Sequence, residues 1–194
     1  MTEKEKAKRG LLYNNNYDPE LIAERIQCKK LCKKYNFLEP DDIEGRKNVI
    51  RELIKKIGSD FYIEQPFYCD YGYNIEIGNN FYSNHNLIIL DDGKVKIGNN
   101  VFIAPDCGIY TAGHPLDVEQ RNEGLEYAYP ITIGDNVWIG GGVKIMTGVS
   151  IGSNTVIGSG SIVTKNIPAG VIAAGNPCRV IRPITDEDKN KYKK

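Results

Sequence analysis

From Ile131 to Lys165 an aliphatic residue returns every six positions, at Ile133, Ile139, Ile145, Ile151, Ile157 and Val163. Most are followed by a small residue, as in Ile133-Gly134, Ile139-Gly140, Ile151-Gly152 and Ile157-Gly158. Four positions after each aliphatic comes a second small or β-branched residue: Val137, Val143, Val149, Thr155, Ser161 and Ile167. A period of six suits neither an amphipathic helix nor a strand that alternates in and out. It suits a hexapeptide-repeat β-helix, in which each hexapeptide forms one short side of a coil and the aliphatics stack inside. Gly and Asn at the corners accept the sharp bends that other residues resist. Ordinary strands joined by glycine turns would not hold six aliphatics in phase.

Upstream, the same step is predicted to begin near Tyr73, with Ile77, Ser83 and Ile89 in phase and Ser83 an unusual inward residue. Asp91-Asp92-Gly93-Lys94 reads as a turn that interrupts the phase, and Ile97, Ile103 and Ile109 restart it. Between Ile109 and Ile133 lie 24 positions, a multiple of six, but Pro115, Arg121 and Tyr127 cannot all point into a narrow aliphatic core. Thr111 to Tyr129 is therefore expected to leave the coil as a loop and return in register. A loop of that length in a regular solenoid is usually functional.

Residues 1–60 read as a helical segment, 61–182 as the β-helix and 183–194 as a charged tail, frayed or a short helix. Asp18-Pro19-Glu20 is a helix start, with an N-cap, a proline in the first turn and an acid near the positive end. Leu21, Ile22, Ile26, Cys28 and Leu31 give that helix a loose apolar stripe. A second helix is predicted from near Asp41, with Glu44 in a capping box, a buried face of Ile43, Val49, Ile50, Leu53, Ile54 and Ile57, and Gly58 at its end. Both helices are expected to pack over one end of the β-helix or on a subunit surface.

The charge balance, 25 basic against 25 acidic residues, gives no general argument for a nucleic-acid or membrane partner. No apolar run is long enough to cross a bilayer and the start is charged rather than signal-like, so the expected address is the cytoplasm. Five cysteines are scattered at Cys28, Cys32, Cys69, Cys107 and Cys178. The first two have C-x-x-x-C spacing on a helix, with no histidine nearby to complete a zinc site, so all five are predicted reduced and most of them structural. Cys107 falls four positions after Ile103 and should point inward and be inert.

There are two histidines, His85 and His114. His114 is the stronger candidate for chemistry, because it lies at the root of the extruded loop between Gly113 and Pro115. A neutral imidazole there could take a proton from a hydroxyl near neutral pH. His85, between Asn84 and Asn86, reads as a solvated corner. Two histidines are too few for the three-histidine zinc site that hexapeptide carbonic anhydrases carry, and no metal is predicted.

Five stretches together carry a resemblance: Gly113-His114-Pro115; Arg121-Asn122-x-Gly124; Pro130-Ile131-x-Ile133-Gly134-x-Asn136-Val137-Trp138-Ile139-Gly140; Val156 to Lys165; and Gly175-Asn176-Pro177-Cys178-Arg179-Val180-Ile181. With the helical start around Tyr13 and Asp18 to Leu21, the chain resembles the maltose and galactoside O-acetyltransferases from about Glu3 to Arg182. The resemblance implies a left-handed parallel β-helix, a homotrimer and acetyl-CoA as donor, with no metal required. It puts the general base on His114 and acceptor contacts on Asp70, Asn84 and Asp92. At the family's first acceptor position this chain carries Asn15 where galactoside enzymes have Asp, which leaves the sugar open. Gly141 matches the position whose N–H lies near the thioester, where it could also stabilise an oxyanion. Ser159, Thr164 and Lys165 match further cofactor contacts, and Arg179 and Arg182 match residues near the CoA phosphates.

The expected reaction is direct transfer, with His114 taking the acceptor's proton and passing it to the leaving thiolate. Glu123 or Glu126 is a candidate to orient the imidazole, and Trp138 is expected at an interface or a cofactor wall. Two other readings remain: an acetyltransferase of this fold acting on another hydroxyl, an amine or serine, and a scaffold without catalysis.

Overall fold

The computed structural model describes residues 1–192, so the last two residues of the expected tail lie outside it. The chain winds into a left-handed parallel β-helix of about six turns with a helical N-terminal segment. Each turn lays one short strand on each of three faces. The first face holds Lys56–Ile57, Ile75–Ile77, Val95–Ile97, Ile131–Ile133 and Ser150–Ile151. The second holds Phe61–Ile63, Phe81–Ser83, Val101–Ile103, Trp138–Ile139, Val156–Ile157 and Val171–Ala174, with Arg179–Pro183 added antiparallel at its edge. The third holds Phe67–Cys69, Leu87–Leu90, Gly108–Tyr110, Lys144–Ile145 and Ile162–Val163.

The repeats start earlier than Tyr73: Ile57, Ile63 and Cys69 already belong to a first coil, paired with Ile77, Ser83 and Ile89 of the next. Aromatic residues hid it, because Phe61, Phe67 and Phe81 fill inward positions that later coils give to valine. The in-phase aliphatics and their second residues, from Val137 to Ile167, are all buried, as are Ser83 and Cys107. Ser83 Oγ has no hydrogen-bond partner among the described residues.

Coil length varies at one corner only. Ile57, Ile77 and Ile97 pair 20 positions apart, whereas Ile133 and Ile151 pair 18 apart. The two extra residues of each early coil fall where the third face turns back to the first, at Asp70–Asn74 and Asp91–Lys94. At the same corner the third early coil leaves the solenoid altogether. Ile97 pairs with Ile133, 36 positions on, which is one coil of 18 plus 18 more. The excess forms an antiparallel pair, Ala112–Gly113 with Leu125–Ala128, closed by a short helix, Val118–Asn122. The N-terminal strand Tyr13–Asn14 adds to its outer edge.

The corner between the first and second faces is held by an asparagine ladder. Asn80, Asn100, Asn136 and Asn154 all take positive φ, between 53° and 58°. Each passes a side-chain amide to the next at 2.8–2.9 Å. Asparagine tolerates this left-handed backbone better than other side chains bearing a Cβ.

Three helices make the N-terminal segment. α1, Glu3–Lys8, has a capping box from Thr2 and Glu5. α2, Pro19–Asn36, is capped by the Asp18 side chain on the Leu21 N–H. It packs Cys28, Cys32 and Tyr35 onto the first coil, while Ile26, expected inside, is half exposed. α3, Ile43–Leu53, is capped by Asp42 on the Gly45 N–H, so Glu44 sits one position too early for a capping box. It also ends before Gly58, because Lys56 and Ile57 already pair as the first coil strand. The buried Arg46 bridges this helix to the coil, donating to the carbonyl oxygens of Pro40 and Ile63. At the other end Asp186–Asn190 forms a short 3-10 helix. No helix among the described residues is long and apolar enough to cross a membrane.

Candidate active site

The widened corner gathers polar side chains from the start, the middle and the excursion of the chain. Asn15 stands at its centre, 7% exposed. Its side-chain amide donates to Asp92 Oδ1 at 2.8 Å and to Glu126 Oε2 at 3.0 Å. Its Oδ1 accepts from the Tyr71 hydroxyl at 2.7 Å and from the Arg25 guanidinium. Arg25 also donates to Tyr71 Oη and to the Asn15 carbonyl, both at 2.8 Å. The Tyr13 hydroxyl lies 3.1 Å from Asp92 Oδ1 and 3.4 Å from Glu126 Oε2. Tyr13 reaches this place because its two-residue strand pairs with Leu125 and Glu126.

His114 lies at the edge of the cluster, its side chain half exposed. Its Nδ1 is 3.1 Å from the Leu125 carbonyl oxygen, and its Nε2 is 4.0 Å from Glu126 Oε1. A carbonyl oxygen only accepts, so Nδ1 of the neutral ring must carry the proton in that bond. Nε2 is then the unprotonated nitrogen, and it faces the carboxylate. Of the two acids considered for orienting the ring, Glu123 is exposed at the end of the short helix and does not meet it. Glu126 does face the ring, but from the Nε2 side, and a backbone carbonyl takes the place on Nδ1 that a triad acid would have.

The carboxylates of Asp70, Asp91, Asp92 and Glu126 crowd this corner, and burial is the largest influence on the three aspartates. Burial first, then the charges of Asp92 and Asp91, push Asp70 up to about 7 against the pull of Arg25. Burial pushes Asp91 up to about 6, opposed by the N–H groups of Tyr71 and Asp70 that it accepts. Asp92 is raised by burial and then by Glu126. Carboxyls poised near neutrality can donate as well as accept, which suits a ligand rich in hydroxyls. Asp92 also borders a recess of about 430 Å³, walled in part by Asn74, Lys94, Ala128 and Tyr129.

Asp70, Asp92 and His114 thus share one corner of the coil. Asn84 does not. It lies where the second face turns to the third, level with Ala104, Gly140 and Gly158 and one residue before the column of His85, Pro105, Gly141 and Ser159. That column is tied by Asp106 N–H to His85 O at 2.9 Å, Gly142 N–H to Pro105 O at 2.8 Å and Gly160 N–H to Gly141 O at 2.8 Å, while Asn84 N–H donates to Ile103 O at 2.8 Å. Thr164 and Lys165 return to the His114 corner, exposed, two coils beyond Tyr110. Within one chain the proposed acceptor and cofactor residues are therefore divided between two edges of the prism.

Gly141 is not required by the chain's own packing. A Cβ there would meet nothing closer than Pro105 O at 3.5 Å, an ordinary contact. Its N–H donates to no group of the chain among the described residues. A bare, unpartnered N–H at an exposed column can receive a carbonyl or thioester group, so the residue fits a pantetheine arm. Arg179 is exposed, with one Nη1 bond to the Cys178 carbonyl at 2.8 Å. Arg182 instead holds Asp188 with both nitrogens, at 2.8 and 2.6 Å, so a phosphate would have to compete with that carboxylate. Trp138 is exposed on the second face, in line with Tyr82 and Phe102.

Tyr13, Arg25 and Tyr71 escaped sequence reading. They lie as much as 113 positions from the groups they meet, and no repeat or motif links them. The one signal available was Asn15, which marks the stretch as part of the acceptor site.

Comparison with known proteins agrees with the fold. Residues 6–58 match the family model of the maltose acetyltransferase hexapeptide capping motif, and residues 130–165 match that of the bacterial transferase hexapeptide, six repeats. The chain is 47% identical to the galactoside O-acetyltransferase of Escherichia coli over 192 residues, covering 99% of this chain and 93% of that one. The crystal structure of a maltose O-acetyltransferase from Clostridium difficile 630 is 51% identical, with a TM-score of 0.94 over 96% of this chain and 99% of that one. A galactoside acetyltransferase solved in complex with coenzyme A is 47% identical, with a TM-score of 0.96 over 100% of this chain and 96% of that one. With coils, capping segment and looped-out histidine all accounted for, the chain belongs to the maltose and galactoside O-acetyltransferase family of hexapeptide-repeat acyltransferases.

Proposed function

We propose that this acetyltransferase moves an acetyl group from acetyl-CoA to a hydroxyl of a sugar of the maltose, glucose or galactoside kind, by direct transfer. Acetyl-CoA supplies the activated acyl group. His114 Nε2 accepts the acceptor's proton and later returns it to the departing sulfur. The observation that carries this reading is the Nδ1 contact with Leu125 O at 3.1 Å, which leaves Nε2 basic and turned to the polar cluster. Glu126, beside Nε2, favours the imidazolium that forms on proton transfer. Asp70, Asp92 and Asn15 supply donors and acceptors for the sugar, and the Gly141 N–H is a ready donor to a developing oxyanion. No step in this reading calls for a metal.

The working form in this proposal is a homotrimer. Asn84 and Gly141 stand on a different edge from His114, so one chain's column would have to face its neighbour's cluster. Outward residues favour contact on the two faces that flank that column. The second face offers Tyr62, Tyr82, Phe102 and Trp138, and the third offers Tyr68, Ile88 and Ile162 with the single cation Lys144, whereas the first offers Lys56, Glu76, Lys96, Thr132 and Ser150. Apolar faces bracketing a polar column are what an assembly buries. An intracellular, cytoplasmic setting fits the acetyl-CoA requirement.

Release of free CoA thiol, followed with a panel of maltose, glucose, galactosides, serine and amino sugars, tests the reading. Turnover with the neutral sugars and not with the amines is expected. Activity confined to an amine or to serine would overturn it.

A further inference from the structure

The helix α2 and the first coil bring three cysteines together that lie far apart in sequence. Cys28 and Cys32, four apart, share one face of the helix, and Cys69 ends the strand beneath it. Cys69 Sγ lies 3.6 Å from Cys28 Sγ and 3.9 Å from Cys32 Sγ, and all three sulfurs lie within 4.8 Å of one another. They are 1%, 3% and 5% exposed, and all are free thiols. Thiolates around a tetrahedral Zn²⁺ at about 2.3 Å stand about 3.8 Å apart. Two of the three sulfur separations therefore already match a metal's coordination edge. The C-x-x-x-C pair gave no such expectation on its own, because its third member comes 37 positions later.

We propose that Cys28, Cys32 and Cys69 form a three-thiolate site for one soft d10 cation of the Zn²⁺ class, separate from the acetyl-transfer chemistry. Soft thiolates favour such ions over hard, oxygen-loving ones. A bound cation would displace the thiol protons and leave three buried sulfurs neutralised by the ion. The fourth coordination position has room. A recess of about 410 Å³ adjoins the trio, with Cys32, Cys69, Tyr68, Asp70 and Leu90 in its wall, and would admit the ion and a water or small anion. Occupancy would pin α2 to the strand that ends one residue before Asp70. Arg25, which holds Asn15, rides on the same helix. The ion would thereby stiffen the acceptor side without touching the reacting atoms.

The test uses the intact reduced chain, stripped with chelator and titrated with Cd²⁺ while thiolate-to-metal absorption is followed, with Zn²⁺ measured in parallel by equilibrium dialysis. One ion per chain is expected. Cys28→Ser and Cys32→Ser should weaken binding by at least the roughly hundredfold that even outer-sphere changes reach, while Cys107→Ser and Cys178→Ser titrate as the parent. X-ray absorption at the zinc edge of the loaded parent needs no variant to fold, and three sulfurs at about 2.3 Å are expected there. A shell of nitrogen and oxygen alone, or well under one ion per chain, would overturn the proposal. So would full binding in a folded Cys28→Ser, Cys32→Ser double variant.

Discussion

His114 and Leu125 are joined across the base of the excursion, ring Nδ1 to backbone carbonyl oxygen at 3.1 Å. The bond fixes the tautomer with a group that cannot titrate. Removing the ring should then abolish proton transfer and leave the polar cluster standing. His114→Ala is expected to lower kcat by about 10² to 10⁴, with acceptor KM changed little. Steady-state kinetics on the best sugar checks this, and a loss of under about tenfold would remove His114 from the role of base.

Glu126 and Asn15 are expected to act differently from the histidine. Glu126 Oε2 takes bonds from Asn15 and Tyr13 while Oε1 faces Nε2. Glu126→Gln should cost about tenfold in kcat by removing a charge that faces the imidazolium formed on proton transfer. Asn15→Asp places a carboxylate against Asp92 and Glu126, and should shift the ranking of sugars more than the maximal rate. An unchanged kcat in Glu126→Gln, read by steady-state kinetics, would show that the charge is not felt at Nε2.

The division of the site between two edges predicts complementation. His114→Ala and Asn84→Ala, each inactive in isolation, should recover activity when unfolded together and refolded as mixed trimers. If each centre draws His114 from one subunit and Asn84 from the next, random mixing of equal amounts restores about a quarter of the centres. No recovery in mixed trimers of confirmed composition would place both residues in the same subunit's centre.

The acidic corner predicts a stability that falls as pH rises. Asp91 is lifted from its usual 3.8 to about 6, so the folded chain holds this proton more tightly than the unfolded chain. Its contribution is full below about pH 4 and is lost as pH climbs through about 6, an effect on the order of 3 kcal/mol. Denaturant unfolding between pH 4 and 7 reads it directly. Asp91→Asn should remove that part of the slope; a parent whose stability rises across this window would contradict the assignment.

The solenoid was legible because each coil repeats one inward pattern, and the excursion because Pro115, Arg121 and Tyr127 could not obey it. The start of the first coil was not, since Cys69 replaces an in-phase aliphatic and Phe61 and Phe67 take the second positions that small or β-branched residues mark elsewhere. His114 was legible from its place at the root of the loop, Asp70 and Asp92 only through the resemblance, and all three converge on one corner. The roles of Tyr13, Arg25 and Tyr71 were invisible because a two-residue strand, a half-buried helix position and a corner turn carry no periodicity that points to a common partner. The cysteine trio was equally hidden: its third member enters from the sheet, and helical spacing says nothing of what lies below a helix.

The asparagine ladder has an evolutionary corollary. Asn100, Asn136 and Asn154 make the same backbone bend and the same amide link, so any one rung can be joined to any other. A lineage can lengthen or shorten this prism by copying or excising a whole coil, closing the seam with contacts already in use. A change of one residue within a strand would instead turn the inner side chains outward, and the widened corner beside the acceptor cluster is where odd lengths have been absorbed.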